Sequence, residues 1–247
     1  MPKIDDCCET KEPFRIGLSK EKSLHAAMKE WYALPGDQFE VNVAGYFIDI
    51  VRSGQDSDKP LLIEIQTGNF TKIRRKLLRL LPEYRIRLVY PIPREKWILR
   101  ITAEGEVKSR RRSPKTGTVN DLFRELIRIP DLIVDPNFSI EVVLTSEEHI
   151  WCEDGQGSWR RKGVSIKDRR LLSVFERIAL FTKEDFLGFL PSELPYPFSN
   201  KDLAAGRGCT IDQARKITYC LRKMDILMEA GKYRNELLFN FKSPPQI

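Results

Sequence analysis

Residues 39–92, FEVNVAGYFIDIVRSGQDSDKPLLIEIQTGNFTKIRRKLLRLLPEYRIRLVYPI, decide the fold. They read as strand, turn, strand, loop, strand, helix, strand. Residues 46–51 are a β-rich run with Asp49 inside it; after a polar loop (53–60), residues 61–66 form a second such run with Glu64 inside. Val, Ile, Tyr and Phe favour strands, while Gly, Ser, Asp and Pro punctuate them. Alternation along the second run puts Leu62, Glu64 and Gln66 on one face and Leu61, Ile63 and Ile65 on the other. An acid in such a run loses its hydration unless a cation meets it there. If the two strands are adjacent, Asp49 and Glu64 face one another at an edge or end of the sheet. Two carboxylates held together repel, and hard oxygen ligands at a partly open site suit Mg²⁺.

Asp49, then Glu64-Ile65-Gln66 in the next strand, then a basic helix and a fourth strand resemble the PD-(D/E)xK nuclease superfamily, which includes restriction endonucleases and archaeal Holliday-junction resolvases. The resemblance spans residues 18–92, about a third of the chain. Ile48 stands where the pattern has Pro, and Gln66 where it has Lys. The resemblance implies a mixed α+β fold of the α/β type, a restriction-endonuclease-like mixed sheet flanked by helices. It also implies a Mg²⁺ (or Mn²⁺) site made by Asp49, Glu64 and the carbonyl of Ile65. Gln66 would then position the attacking water through a hydrogen bond, and Glu21, on the preceding helix, would complete the metal shell through a water. Against that role, Glu21 equally suits a helix first turn for its dipole alone. His25 follows Glu21 by four residues and shares its face.

Outward from this core, residues 1–17 read as a loose arm, and a helix runs from Ser19 to Pro35-Gly36, with Leu24, Met28, Trp31 and Tyr32 on one side. The helix after Glu64 starts near Asn69. Five of the eleven residues from 71 to 81 are basic and none is acidic, so Lys72, Arg75 and Lys76 are candidate phosphate contacts. Lys72 or Lys76 could also replace the missing strand lysine by reaching back to the acids. Residues 85–92 supply the fourth strand, closed by prolines, and residues 97–101 another. Lys108 to Lys115 is the densest basic cluster and reads as a flexible loop, a phosphate clamp through Arg110, Arg111 and Arg112 or a solvated excursion. Trp159, beside Arg160, Arg161 and Lys162, either packs or stacks on a base.

From Asp168 the spacing of Leu171, Val174, Phe175 and Ile178 predicts helix. The C-terminal run of helix, turn, helix and β-hairpin is similar to a winged helix-turn-helix. It would present Gln213, Arg215, Lys216 and Arg222 outward on the second helix and Lys232 in the wing. The organisation expected is therefore an arm (1–17), a nuclease-like domain (18–167) and a winged-helix-like domain (168–247).

The 247 residues include 42 Lys plus Arg against 35 Asp plus Glu, a net charge of +7, and the pI is near 9.1. This balance favours an anionic partner. DNA comes first, with RNA left open by the shared nuclease core, and a homodimer is a further partner. Five cysteines without CxxC spacing indicate neither a zinc ribbon nor a disulfide framework. With no signal peptide and no run of 18 apolar residues, a cytoplasmic protein that keeps clear of membranes is expected. The function expected is a metal-dependent nuclease hydrolysing phosphodiester bonds of DNA. The alternative is a catalytically inactive, nuclease-like DNA-binding regulator or assembly subunit.

Overall fold

A computed structural model of the protein describes residues 23–53 and 59–242. Its main element is a seven-stranded mixed sheet, built from β1 (Gln38–Val43), β2 (Tyr46–Arg52), β3 (Leu61–Ile65), β4 (Arg85–Thr102), β5 (Val107–Arg112), β6 (Phe138–Glu153) and β7 (Ser165–Leu180). The order is β1-β2-β3-β4-β6-β7, with β5 pairing on the far part of β4. The first two junctions and β6–β7 are antiparallel, whereas β3–β4 and β4–β6 are parallel. The parallel β3–β4 junction needs a crossover, and α2 (Phe70–Leu80) supplies it.

Each face of the sheet is covered. Helix α1 (Ser23–Tyr32) lays Leu24, Met28 and Tyr32 against Ile50, Ile63, Ile65, Val89 and Val143. On the other face, Phe70, Leu77 and Leu80 of α2 join Leu62, Leu88 and Ile140 in the larger core. The alternation of β3 is thus realised, with Leu62 on one side and Ile63 and Ile65 on the other.

Three local expectations need correction. Residues 97–101 are not a separate strand: β4 continues through Pro91 and Pro93 to Thr102. Proline cannot donate to a ladder, and it is tolerated here because β3 has already ended at Ile65 and a bulge at Arg94 takes up the register. The basic cluster is not a loop either: Lys108 to Arg112 lie in β5, antiparallel to β4. Third, residues 168–180 are not helical. They belong to β7, which pairs with β6 from Ile140 to Cys152. The boundary expected after residue 167 therefore falls inside a strand of the main sheet.

Past β7 come a 3-10 segment (Lys183–Phe189), β8 (Phe198–Ser199), α4 (Asn200–Arg207), α5 (Ile211–Lys223), β9 (Leu227–Tyr233) and β10 (Glu236–Phe241), with strand order β8-β10-β9. Ser199 caps α4 in a box with Asp202, and Thr210 caps α5 in a box with Gln213. Gly208, at φ 63°, takes the left-handed turn that ends α4. Helix α5 packs against the short helix α3 (Phe123–Leu126) and the neighbouring 3-10 turns. Ile217, Leu221 and Phe239 consequently share one core with Phe123 and Leu126. No helix among the described residues is long and apolar enough to cross a membrane.

Candidate active site

The two acids meet where β2 and β3 part. Their antiparallel ladder runs Arg52↔Leu61, Val51↔Leu62, Ile50↔Ile63 and stops; one register step further, Asp49 stands opposite Glu64. At this point β2 also changes face, because Ile48 packs in the α2-side core and Ile50 in the α1-side core. Side chains replace the ladder. Asp49 Oδ2 accepts the backbone N–H of Ile65 at 2.7 Å, and the Glu64 carboxylate accepts the backbone N–H of Asp49. Each acid is tied to the other strand's backbone, so neither can swing out independently.

Their electrostatics differ. Glu64 is 6% exposed; burial first, and then the Asp49 charge, push its carboxyl up to about 7, despite the nearby Lys76. Burial pushes Asp49 the same way, but the hydrogen bond and charge of His25 and the Ile65 N–H outweigh it and leave its pKa lowered. His25 Nε2 lies 3.2 Å from Asp49 Oδ2. Lys76 reaches over from α2 to pair with Glu64 at 2.5 Å and to donate to the Phe47 carbonyl. Of the two lysines expected to reach back toward the acids, it is Lys76 that does so. Gln66 itself donates its amide N–H to the Gly68 carbonyl and braces the turn into α2, so that proton is not directed at the acid pair. Glu21 lies outside the described residues.

Two carboxylates and the carbonyl of Ile65 are oxygen donors of the kind Mg²⁺ takes. Lys76 and His25 already meet the pair with cationic or hydrogen-bonding groups, and the raised Glu64 reflects burial first. Among the described residues no three His, Cys, Asp or Glu side chains gather to hold a metal by themselves.

The candidate nucleic-acid contacts are scattered in their environments. On α2, Lys72 and Arg75 are exposed while Lys76 is taken up by Glu64. On β5, Arg110 pairs with Glu148 at 2.7 Å and stacks on Trp97, and Arg112 pairs with Glu95; Arg111 is exposed. The clamp expected of this cluster is therefore a strand with two of its three arginines neutralised. Gln213, expected to face outward, instead completes the α5 capping box and donates to Asp121 at 3.2 Å. Lys216 pairs with Asp212 and Arg222 with Glu229, whereas Arg215 and Lys232 are exposed. Trp159 is 83% exposed beside the Arg160 guanidinium.

The sequence reading missed a buried polar knot on the α1 side. Tyr32 donates to Glu141 Oε2 at 2.6 Å and accepts from Arg87 at 3.3 Å. Burial and the hydrogen bond to Glu141 push the Tyr32 phenol up to about 12. The available signal was Glu141 itself, an acid inside an apolar strand just as Asp49 and Glu64 are.

Fold and site together define a mixed α+β protein with a large, helix-flanked sheet and a laced carboxylate pair at the end of one of its ladders. The chain belongs to the family described as Domain of unknown function (DUF8091), which matches residues 22–181, a stretch that includes α1 through β7. It is also 31% identical over 237 residues to an uncharacterized protein of Treponema pallidum (strain Nichols), an alignment covering 93% of this chain and 91% of that one. No solved structure matches.

Proposed function

We propose that this chain is a metal-dependent nuclease that hydrolyses phosphodiester bonds of DNA. The core would be of the PD-(D/E)xK, restriction-endonuclease-like kind, with a winged-helix-like unit behind it. One observation carries the reading: Asp49 and Glu64 are laced across the point where β2 and β3 separate, with Lys76 reaching in from the crossover helix. A sheet that needed only stability would place apolar side chains there, since buried charge is costly.

Asp49, Glu64 and the Ile65 carbonyl would hold Mg²⁺ or Mn²⁺. Bound there, the ion supplies Lewis-acid chemistry, lowering the pKa of a coordinated water and neutralising charge on the phosphate. Asp49, with its lowered pKa, stays ionised at neutral pH. Glu64 becomes fully ionised only above about 7, so its readiness to hold a cation grows with pH through that value. Lys76 brings the positive charge that Gln66 lacks, and the exposed Lys72 and Arg75 on the same helix face the solvent from which a phosphodiester backbone arrives.

The test is cleavage of plasmid, branched and single-stranded DNA, and of RNA, with Mg²⁺ or Mn²⁺. The wild-type protein should cut, and Asp49→Ala and Glu64→Ala should each lose at least about a hundredfold in rate. Unchanged cutting in both variants removes the assignment. A second reading, a nuclease-like core that binds DNA without cutting, draws on the ion pair by which Lys76 already engages Glu64. Intact DNA binding with no cleavage of any substrate would support it.

A further inference from the structure

A cavity of about 720 Å³ lies between the sheet and the C-terminal helices, lined by β4, the loop after β5, α3 and the ends of α4 and α5. Its loop is fastened to β4 twice. Ser113 N–H donates to the Lys96 carbonyl at 2.7 Å and Gly117 N–H to the Pro93 carbonyl at 3.0 Å. These bonds hold Lys115 over the same cavity that Lys96 lines. Two lysines thus line one cavity.

The acids nearby are already used. Asp121 accepts from Arg124 at 3.1 Å, Gln213 at 3.2 Å and the Thr118 N–H at 3.1 Å, while Glu125 accepts the Phe70 N–H at 3.0 Å. Behind Lys96, on the neighbouring strand, Glu147 is fully buried and bonded to Thr145 and His149, each at 2.9 Å. Among the described residues neither Lys96 nor Lys115 makes an ion pair. Burial and the charge of Lys115 lower the Lys96 pKa, with the Glu147 charge opposing them. Asp121 and Glu125 line the cavity too, and burial together with their charges pushes the Tyr90 phenol up to about 12. Lys96 and Lys115, with Arg124 and Arg207, outnumber the two acids of the lining, which suits an anion with several acceptor oxygens.

We propose that this cleft binds a phosphate group through Lys96 and Lys115. It is separate from the acid pair and does not depend on the nuclease reading. The phosphate could arrive as a free phosphomonoester or as part of a nucleic-acid backbone, and both present the same oxygens to the lysines.

Isothermal titration of the full chain at fixed ionic strength tests it, with inorganic phosphate and with a short oligodeoxynucleotide lacking terminal phosphates. Wild type should bind inorganic phosphate saturably. Lys96→Met and Lys115→Met should each weaken that binding on the order of tenfold, while Glu64→Gln leaves it unchanged. Binding of the oligonucleotide that inorganic phosphate displaces, and that the two lysine variants weaken, identifies the backbone as the source; binding of inorganic phosphate alone identifies a phosphomonoester. The proposal is overturned if wild type binds neither probe, or if a folded Lys96→Met/Lys115→Met double variant, checked by circular dichroism, binds as wild type does. Loss of DNA cleavage in Glu64→Gln with phosphate binding retained would separate the two sites.

Discussion

Glu64 is the residue where chemistry and stability conflict. Its carboxyl titrates from 4.5 in an open chain to about 7 in the fold, so between those values the folded state binds more protons than the unfolded one. Its contribution to stability is then complete below 4.5 and is lost as pH rises through 7. Asp49 has the opposite sense, because its lowered pKa adds stability that disappears only in acid, as pH falls through the folded value. Glu64→Gln removes the first effect and keeps the second. Relative to that variant, wild type should lose up to roughly 3 kcal/mol between pH 4.5 and 8, measured by urea unfolding across pH. A flat difference would show that Glu64 is not buried beside a charge, and saturating Mg²⁺ should flatten the wild-type curve if the pair holds the ion. The acid pair was legible in the sequence because two carboxylates break two apolar runs. The identity of the cation on Glu64 was less so: Lys72 and Lys76 are one helical turn apart, and only the packing angle of α2 selects Lys76. Gln66 was read from its position in a motif, and position does not say that a side chain will turn to its own loop.

At the level of elements, β7 shows how a strand can imitate a helix. Against β6, the partners jump from Glu176 to Val174, from Ser173 to Leu171 and from Asp168 to Ile166, leaving Phe175, Leu172 and Lys167 as inserted residues. Each bulge adds one residue to a period of two. Leu171 and Val174, three apart, thus meet the same cluster under α1, and the pattern looks helical. Strands without bulges, such as β3, kept their alternation and were read correctly. The basic segment before residue 113 failed for a related reason: its cations pair with acids on β4 and β6, and such partners are not visible along one strand. The loop that follows it makes a sharper prediction. A Cβ at Gly117 would sit 2.6 Å from the Pro93 carbonyl oxygen and 2.8 Å from Ile92 Cγ2, whereas one at Gly188 meets nothing within 4 Å. Gly117→Ala should therefore cost about 1–3 kcal/mol and Gly188→Ala very little, read from the midpoints of chemical unfolding. Equal midpoints would mean that the loop is not pressed onto β4.

For the molecule as a whole, the question is whether the sheet and the C-terminal helices are two domains or one. Sequence texture suggested two, because composition and periodicity shift near residue 168, and the family match ends at residue 181. The packing argues for one cooperative unit. Ile217, Leu221, Met224 and Phe239 belong to the same buried cluster as Ile48, Leu62, Phe123 and Phe138. Arg207 donates to Asn120 at 2.8 Å across the seam, and Gln213 to Asp121. Such a joint holds α5 against α3, so only part of the helix expected to read base edges stays open; nucleic acid would meet Arg215 and the β9–β10 hairpin rather than a free recognition helix. Leu221 is fully buried in the shared core, and Leu221→Ala should remove about 2–5 kcal/mol. If the core is continuous, that loss lowers the unfolding midpoint of the sheet as much as that of the helices. Near-ultraviolet signals from Trp97 and Trp151, both in strands of the main sheet, would shift together with the far-ultraviolet helical signal. Two separated transitions, with only the helical one moved, would instead mean that the C-terminal unit folds alone and is free to reorient against the sheet.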